Sequence, residues 1–455
     1  MRPATESFLD TIVALATPPG RSALALVRLS GPAARDVLRR LCPGAPAEWE
    51  PRRATLSTLA DAAGDTIDRG IVTFFPGPAS YTGEDAAEIS VHGSPVVVER
   101  LLAAAARAGA RAARPGEFTE RAFLSGKIDL PRAEAVADLI SAQTAAAARR
   151  SLARLDGGTS RRFSAVREDL FHAAALLAST IDFAEDVGDE VPPEVARRLA
   201  AAEGELSRLL ASYSAGRLFA AGCRIAIVGP PNAGKSTLFN ALCGSARALV
   251  TDVPGTTRDA LEAVLDVAGV PVTVVDTAGL RESSDAVERL GVARAREEAE
   301  RADLVVVVRA AAAGFARGEP DPISGAGHRV VRIANRSDEA SAEEVAAASA
   351  AGALPLCGLR PDAGRRLRER LAAELARELP AEETSELLCS ERQRDLAERA
   401  RADVRVAAES LGRGESPEYA ASHVHGALDA LADLFGETTS EDVLRRVFAS
   451  FCIGK

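Results

Sequence analysis

The stretch "GPPNAGKST" at 229–237 carries the strongest chemical signal in the chain. It fits the pattern G-x-x-x-x-G-K-[ST]. A glycine-rich loop of this kind turns backbone N–H groups inward. The helix that follows adds the positive end of its dipole, and together they cradle phosphate. Lys235 sets a compact ammonium against the terminal phosphates, where the planar fork of an arginine does not fit. The hydroxyl of Ser236 is placed to ligate Mg²⁺. Asp276, which closes "VTVVD", suits a partner of that ion. Asp338, in "NRSD" after Asn335, can accept both hydrogen bonds from the N1–H and N2–H₂ edge of guanine, an edge adenine lacks.

These residues need strands and helices to hold them. "RIAIV" reads as a strand before the loop and "STLFNALCG" as the helix after it, the context the pattern requires. Alternating β and α segments continue to about residue 378. Before them, "TIVALAT", "ALALVRLSG", "RATLSTL", "TIDRGIVTFF" and "DAAEISVHG" read as strands. "PAARDVLRRL" and "SPVVVERLLAAAARAG" read as helices, so the first 125 or so residues form an α+β domain. From about 131 to 215 the pattern is helical. "PRAEAVADLISAQTAAAARRSLARL" reads as one helix from Pro131 to the Gly157-Gly158 stop. Helical character returns after "ELPAEET", so a helical domain is split by an inserted α/β domain. The fold class is multidomain α/β and α+β.

The order of the loop 229–237, "PGTTRD" at 254–259, "DTAG" at 276–279 and "NRSD" at 335–338 resembles a small GTPase domain of the Ras-like kind. Three positions depart from that pattern. Arg336 stands where the base motif has lysine, and its stem can still pack on the base. "LPLCGLRPD" shows no recognisable fifth motif, which leaves a backbone contact to the base around Cys357–Leu359. Leu280 stands where a water-orienting glutamine belongs, so hydrolysis needs another device.

Composition narrows the class. Net charge is −10, which argues against gripping nucleic acid by phosphate neutralisation alone. The six scattered cysteines form no CxxC and read as reduced thiols. No apolar run is long enough to span a bilayer. Of 55 basic residues only Lys127, Lys235 and Lys455 are lysine. Lys235 is explained by phosphate; Lys127 in "SGKIDL" and Lys455 in "FCIGK" ask for a reason of their own.

At "GTTRD", "DTAGLRESSDAVERLG", "DTIVALATPPGR", "ARPGEFTERAFLSGKIDL" and "FCIGK" the chain resembles, over its whole length, the bacterial family of tRNA modification GTPases called MnmE or TrmE. The resemblance implies an N-terminal folate-binding and dimerising domain at 1–125 and a discontinuous helical domain at 126–218 and 379–455. It implies a G domain at 219–378 inserted between them. It implies a cytoplasmic homodimer that forms a heterotetramer with the FAD-dependent MnmG (GidA). Together these build a carboxymethylaminomethyl group on C5 of the wobble uridine of certain tRNAs. The donor would be a 5-formyl or 5,10-methylene tetrahydrofolate.

Matching motif positions carry the family's ligands onto this chain. GTP contacts fall on Asn232, Ala233, Gly234, Lys235, Ser236, Thr237, Thr251, Asp252, Val253, Pro254, Gly255, Thr256, Thr257, Asp276, Thr277, Ala278, Gly279, Asn335 and Asp338. Mg²⁺ falls to Ser236 and Thr257, and K⁺ to Asn232, Thr251, Val253 and Thr256. The cation sits where other GTPases take an arginine finger. The water-orienting role falls to Glu288 in "DAVERLG". Folate falls to Arg28, Glu88, Lys127 and Lys455. Plain readings stand beside these: Arg28 as a strand-end ion pair, Glu88 as a solvent-facing strand residue, Lys127 as a solvated charge. Cys452 reads first as a small buried hydrophobe and second as a reactive thiol near folate. A ribosome-assembly GTPase and a GTP-independent folate transferase are the competing functions.

Overall fold

The computed structural model describes residues 10–46, 48–182, 191–244, 261–276, 296–313, 329–379, 386–449 and 451–455. By internal contacts these form two units: residues 1–137, 154–207 and 395–455, and residues 138–153 and 208–394.

The first unit contains a six-stranded sheet built from β1 (Thr11–Leu15), β2 (Leu24–Ser30), β3 (Thr55–Ala60), β4 (Thr66–Phe75), β5 (Ala86–His92) and β6 (Ala110–Ala112). Its order is β3-β4-β5-β2-β1-β6. Only the β1–β6 pair is parallel. Alternation buries Val27, Leu29, Val72, Phe74, Ile89 and Val91 on one face. Helices α1 (Ala34–Leu41) and α2 (Pro95–Arg107) cover that face with Val37, Leu38, Leu41 and Leu101. Pro95 opens α2 where no N–H is missed. Helix α3 (Glu117–Leu124) follows β6.

The helical portion of this unit is built on apolar stripes. α6 (Gly158–Asp182) buries Phe163, Val166, Leu170, Ala173 and Leu177 at helical spacing and packs along α13 (Pro417–Phe435). α13 answers with Ala420, Val424, Ala427 and Leu431, the two alanines leaving room for the axes to approach. Leu130, Ala133 and Val136 of α4 (Leu130–Ser141) meet Leu444 and Phe448 of α14 (Glu441–Ala449), with Phe451 beyond.

The single helix expected over 131–155 is two. α4 ends at Ser141 and α5 runs Ala145–Leu155. Thr144 caps α5, its Oγ1 accepting from Ala147 N–H at 3.1 Å. The Ala-rich run has high helix propensity throughout, which hides the break. Among the described residues, α7 (Pro193–Ala211) and α12 (Glu391–Gly412) also belong largely to this unit, and α8 (Tyr213–Ala220) belongs to the second.

The second unit's sheet has the order β12-β11-β10-β7-β9-β8. The strands are β7 (Cys223–Val228), β8 (Leu261–Val267), β9 (Val270–Asp276), β10 (Leu304–Ala310), β11 (Arg329–Asn335) and β12 (Leu354–Pro355). All pairs are parallel except the β8–β9 hairpin. β10 is "LVVVVRA", an unbroken apolar run, because both its faces are covered. Leu304, Val306 and Val308 enter one core; Val305 and Val307 enter the other. Helices α9 (Lys235–Gly244), α10 (Ala342–Ala350) and α11 (Ala363–Leu375) belong to this unit. The two units give the expected α+β, helical and α/β parts. Among the described residues no helix is long and apolar enough to cross a membrane.

Candidate functional site

In the second unit, β7 pairs with β10 on one side and β9 on the other. Parallel pairing brings the carboxyl ends of β7, β9 and β11 to one edge, the edge where such sheets bind ligands. The loop 229–234 leaves β7 there, and Asp276 and Asn335 end β9 and β11. Lys235 Nζ donates to the carbonyls of Gly229 and Pro230, each at 2.9 Å. Burial pushes its pKa down, and Asp276 opposes that. The ammonium is thereby held over the loop, where a polyphosphate would replace the carbonyls. Asn232 adopts a left-handed φ of 60° on the exposed rim of the loop. Ser236 and Thr237 are half-buried in the first turn of α9.

Asn335 is buried and acts as a staple. Its Nδ2 donates to Ala233 O at 2.8 Å, and its Oδ1 accepts from Gly358 N–H at 3.0 Å. The segment 356–358 is bound again by Leu356 N–H to Ala334 O and Ser337 N–H to Leu356 O. The "LCGL" stretch therefore lies beside the base motif, although its sequence lacks the usual signature. Asp338 is exposed, and the Cys357 thiol, then its own backbone N–H, then Arg360 and Arg336, hold its carboxyl below the ordinary value. Arg336 has a φ of 57° and pairs with Glu339 at 3.3 Å. Thr251, Asp252, Val253, Pro254, Gly255, Thr256, Thr257, Thr277, Ala278, Gly279, Leu280 and Glu288 lie outside the described residues.

The first unit holds a second pocket. A cavity of about 120 Å³ is lined by Arg28, Phe75, Tyr81, Thr82, Ala86, Ala87, Glu88 and Phe118. Arg28 and Glu88 face each other across β2 and β5. Arg28 Nη2 and Nε donate to Glu88 Oε1 at 2.7 and 3.2 Å. Among the described residues no hydrogen bond reaches Glu88 Oε2. The Arg28 guanidinium lies 5.9 Å from the Tyr81 ring centre and 5.8 Å from that of Phe118. Aromatic walls around a carboxylate with a free oxygen suit a flat heterocycle that presents N–H donors. Sequence reading missed Phe75, Tyr81 and Phe118, which come from a strand end, the loop after it and a helix about forty residues further on.

The closing residues are laced onto this pocket. Gly116 N–H donates to Cys452 O at 3.4 Å, Phe118 N–H to Lys455 O at 3.2 Å, and Arg28 Nη1 to Gly454 O at 3.2 Å. Burial and Arg28 lower the Lys455 pKa against the pull of Glu88 and Cys452. So the structure brings Arg28, Glu88 and Lys455 together. Lys127 stands apart, donating to Pro78 O at 2.8 Å behind the loop that carries Tyr81 and Thr82. The reading of Cys452 as a buried hydrophobe is corrected. Cys452 is exposed, and Phe451 is the residue that turns inward. The Cys452 carbonyl is tied to Gly116, which leaves its side chain outside. Buried Cys42 and Cys223, by contrast, have thiols pushed up to about 12 by burial.

A charge cluster fixes α3 beneath these contacts. Arg121 is fully buried and donates to Asp10, Glu84 and Glu117. Glu117, also fully buried, takes Arg111 and the Arg114 N–H as well.

Residues 11–127 match the family described as "GTP-binding protein TrmE N-terminus", and residues 130–452 match "MnmE helical domain". The chain is 42% identical over 452 residues to a "tRNA modification GTPase MnmE" of Myxococcus xanthus, covering 98% of this chain and 99% of that one. It is 42% identical over 451 residues to the protein of that name from Paracoccus denitrificans, covering 98% and 100%. It is 41% identical over 449 residues to that of Akkermansia muciniphila, covering 98% and 99%. A phosphate-type loop at the carboxyl edge of a parallel sheet and two family matches that together span most of the chain agree: the chain belongs to the MnmE family of tRNA modification GTPases.

Proposed function

We propose that this chain hydrolyses GTP in a K⁺-dependent manner. With an FAD-dependent MnmG partner and a tetrahydrofolate, it then adds a carboxymethylaminomethyl group to C5 of the wobble uridine of certain tRNAs. The observation that carries the folate part is the lacing of Gly454 and Lys455 to Arg28 and Phe118 at the aromatic cavity.

In the second unit, the loop 229–234 and Lys235 bind the phosphates, Ser236 and Thr257 hold Mg²⁺, and Asp276 lies beneath. Asp338 reads guanine, and Asn335 holds the phosphate loop and the 356–358 segment in one piece. Bound GTP with Mg²⁺ supplies the phosphoryl group that passes to water. Asn232, Thr251, Val253 and Thr256 would hold K⁺, which would offset charge developing on the phosphates, and Glu288 would orient the water. In the first unit, Glu88 would accept from the ring N–H edge of a folate, Tyr81 and Phe118 would flank that ring, and Lys455 and Lys127 would meet its acidic tail. The folate supplies the one-carbon unit. The cavity has room for the ring and not for the whole cofactor, so the acidic tail would lie outside it, within reach of lysines that do not line the cavity.

Two of the chains form the dimer through the open face of the first unit's sheet. The partner and tRNA reach this protein in the cytoplasm. Steady-state GTP hydrolysis in K⁺ against Na⁺ is the test. K⁺ should raise the rate at least about tenfold, because it neutralises charge in the transition state. Equal rates reject the cation reading. Lys455→Ala should weaken folate binding and leave hydrolysis intact; unchanged folate binding rejects that site.

A further inference from the structure

The β8–β9 hairpin reaches the nucleotide edge of the sheet, where Asp276 closes β9 beside β7. β8 opens at Leu261, directly after "PGTTRD", and β9 closes at Asp276. Its register is unbroken from Leu261↔Asp276 to Val267↔Val270, so it moves as one ribbon. Its turn residues, Ala268 and Gly269, have φ of 54° and 84°, the left-handed form that suits a two-residue hairpin.

The turn is fastened. Thr144 Oγ1, 6% exposed as a residue, donates to Gly269 O at 2.6 Å. The same oxygen accepts from Ala147 N–H and caps α5. A Cβ on Gly269 would lie 2.8 Å from Ala146 Cβ, so α5 and the turn are in direct contact. Arg150 of α5 then lies over Phe219 of α8, 3.7 Å from the ring centre. One hydroxyl therefore both holds the hairpin turn and starts the helix. α5 continues to Leu155, and residue 153 is the last it contributes to this unit.

We infer that Thr144 is a positioning residue of the GTPase cycle, coupling the nucleotide-facing ends of the β8–β9 hairpin to the start of α5. The inference rests on the nucleotide site proposed above. A nucleotide that draws in Asp276 shifts the ribbon. The ribbon shifts its turn, and the turn loads or releases the cap of α5.

Amide hydrogen exchange of the full chain, read on peptides covering 145–153 with and without GDP, tests this. GDP binding is measured in the same samples with a fluorescent GDP analogue. In the wild type and in Thr144→Ser, GDP should change exchange of 145–153 by about fivefold, the scale of one buried hydrogen bond. In Thr144→Val and in Gly269→Ala, GDP should bind within about twofold of wild type, with no change in that exchange. Thr144→Val removes the cap along with the latch. Gly269→Ala keeps the Thr144 hydroxyl and its cap while straining the left-handed turn and pushing it off Ala146, so agreement between the two variants points to the joint of turn and helix rather than to the cap alone. A wild type that binds GDP with no response at 145–153 overturns the inference, as does an undiminished response in Gly269→Ala. A wild type that binds no GDP overturns the nucleotide site itself, and the inference with it.

Discussion

Asn335 is buried, yet both ends of its amide are satisfied, by Ala233 O and by Gly358 N–H. Asn335→Ala would orphan both backbone groups. It should destabilise the second unit by about 1–3 kcal/mol and weaken GDP binding at least about tenfold, read by thermal unfolding and GDP titration. Glu117 is the electrostatic counterpart. Burial alone would raise its pKa, but Arg111, the Arg114 N–H and Arg121 overcome that and bring it from 4.5 down to about 2. The folded value lies below the unfolded one, so its stabilisation is full above pH 4.5 and is lost as pH falls toward 2. The window corresponds to about 3 kcal/mol at most. Trp49 is the chain's only tryptophan and lies buried in the first unit's core, so urea unfolding followed at its fluorescence reports on this region. The wild type should lose stability over that window, and Glu117→Gln should be destabilised at pH 7 and flatter below pH 4.5.

At the scale of elements, the closing segment shows how backbone conformation decides a site. Gly454 has φ 91°, and a Cβ there would lie 2.5 Å from Leu15 O. Gly454→Ala is therefore both strained and blocked, and should lift residues 452–455 off the pocket. Binding of 5-formyltetrahydrofolate should weaken by about tenfold, while GTP hydrolysis stays at the wild-type rate; titration and phosphate release check the two arms. The nucleotide loop was legible in the sequence because strand, loop and helix are consecutive residues. The break at Thr144 was not, because its cause is a tertiary bond to a turn more than a hundred residues away. Cys452 was misread for a related reason. Its few neighbours have no periodicity, and its sidedness is set by which carbonyls are tied down. The pairing of Arg28 with Glu88 joins two readings that stood apart in sequence. Each is the other's ion-pair partner, and both line the cavity.

At the scale of the molecule, one face of the first unit's sheet carries α1 and α2, and the other bears exposed Leu24, Leu56 and Ile71. Leu56 and Ile71 are cross-strand partners, and Arg28 and Glu88 lie on the same face. A clustered apolar face of this kind calls for a second surface. If the proposed dimer forms through this face, Leu56→Asp combined with Ile71→Asp should leave the chain monomeric in light scattering and the first unit folded by circular dichroism. A dimer that persists rejects this face as the interface. The scarcity of lysine has a further use at this scale. Lys235 lies on the nucleotide loop, Lys455 by the aromatic cavity, and Lys127 on the loop beside it. An amine-directed acylating reagent therefore finds one lysine at the nucleotide loop and two in the proposed folate region. A single mass spectrum of the labelled chain becomes a three-channel footprint, in which GTP should shield Lys235 and folate Lys455 and Lys127.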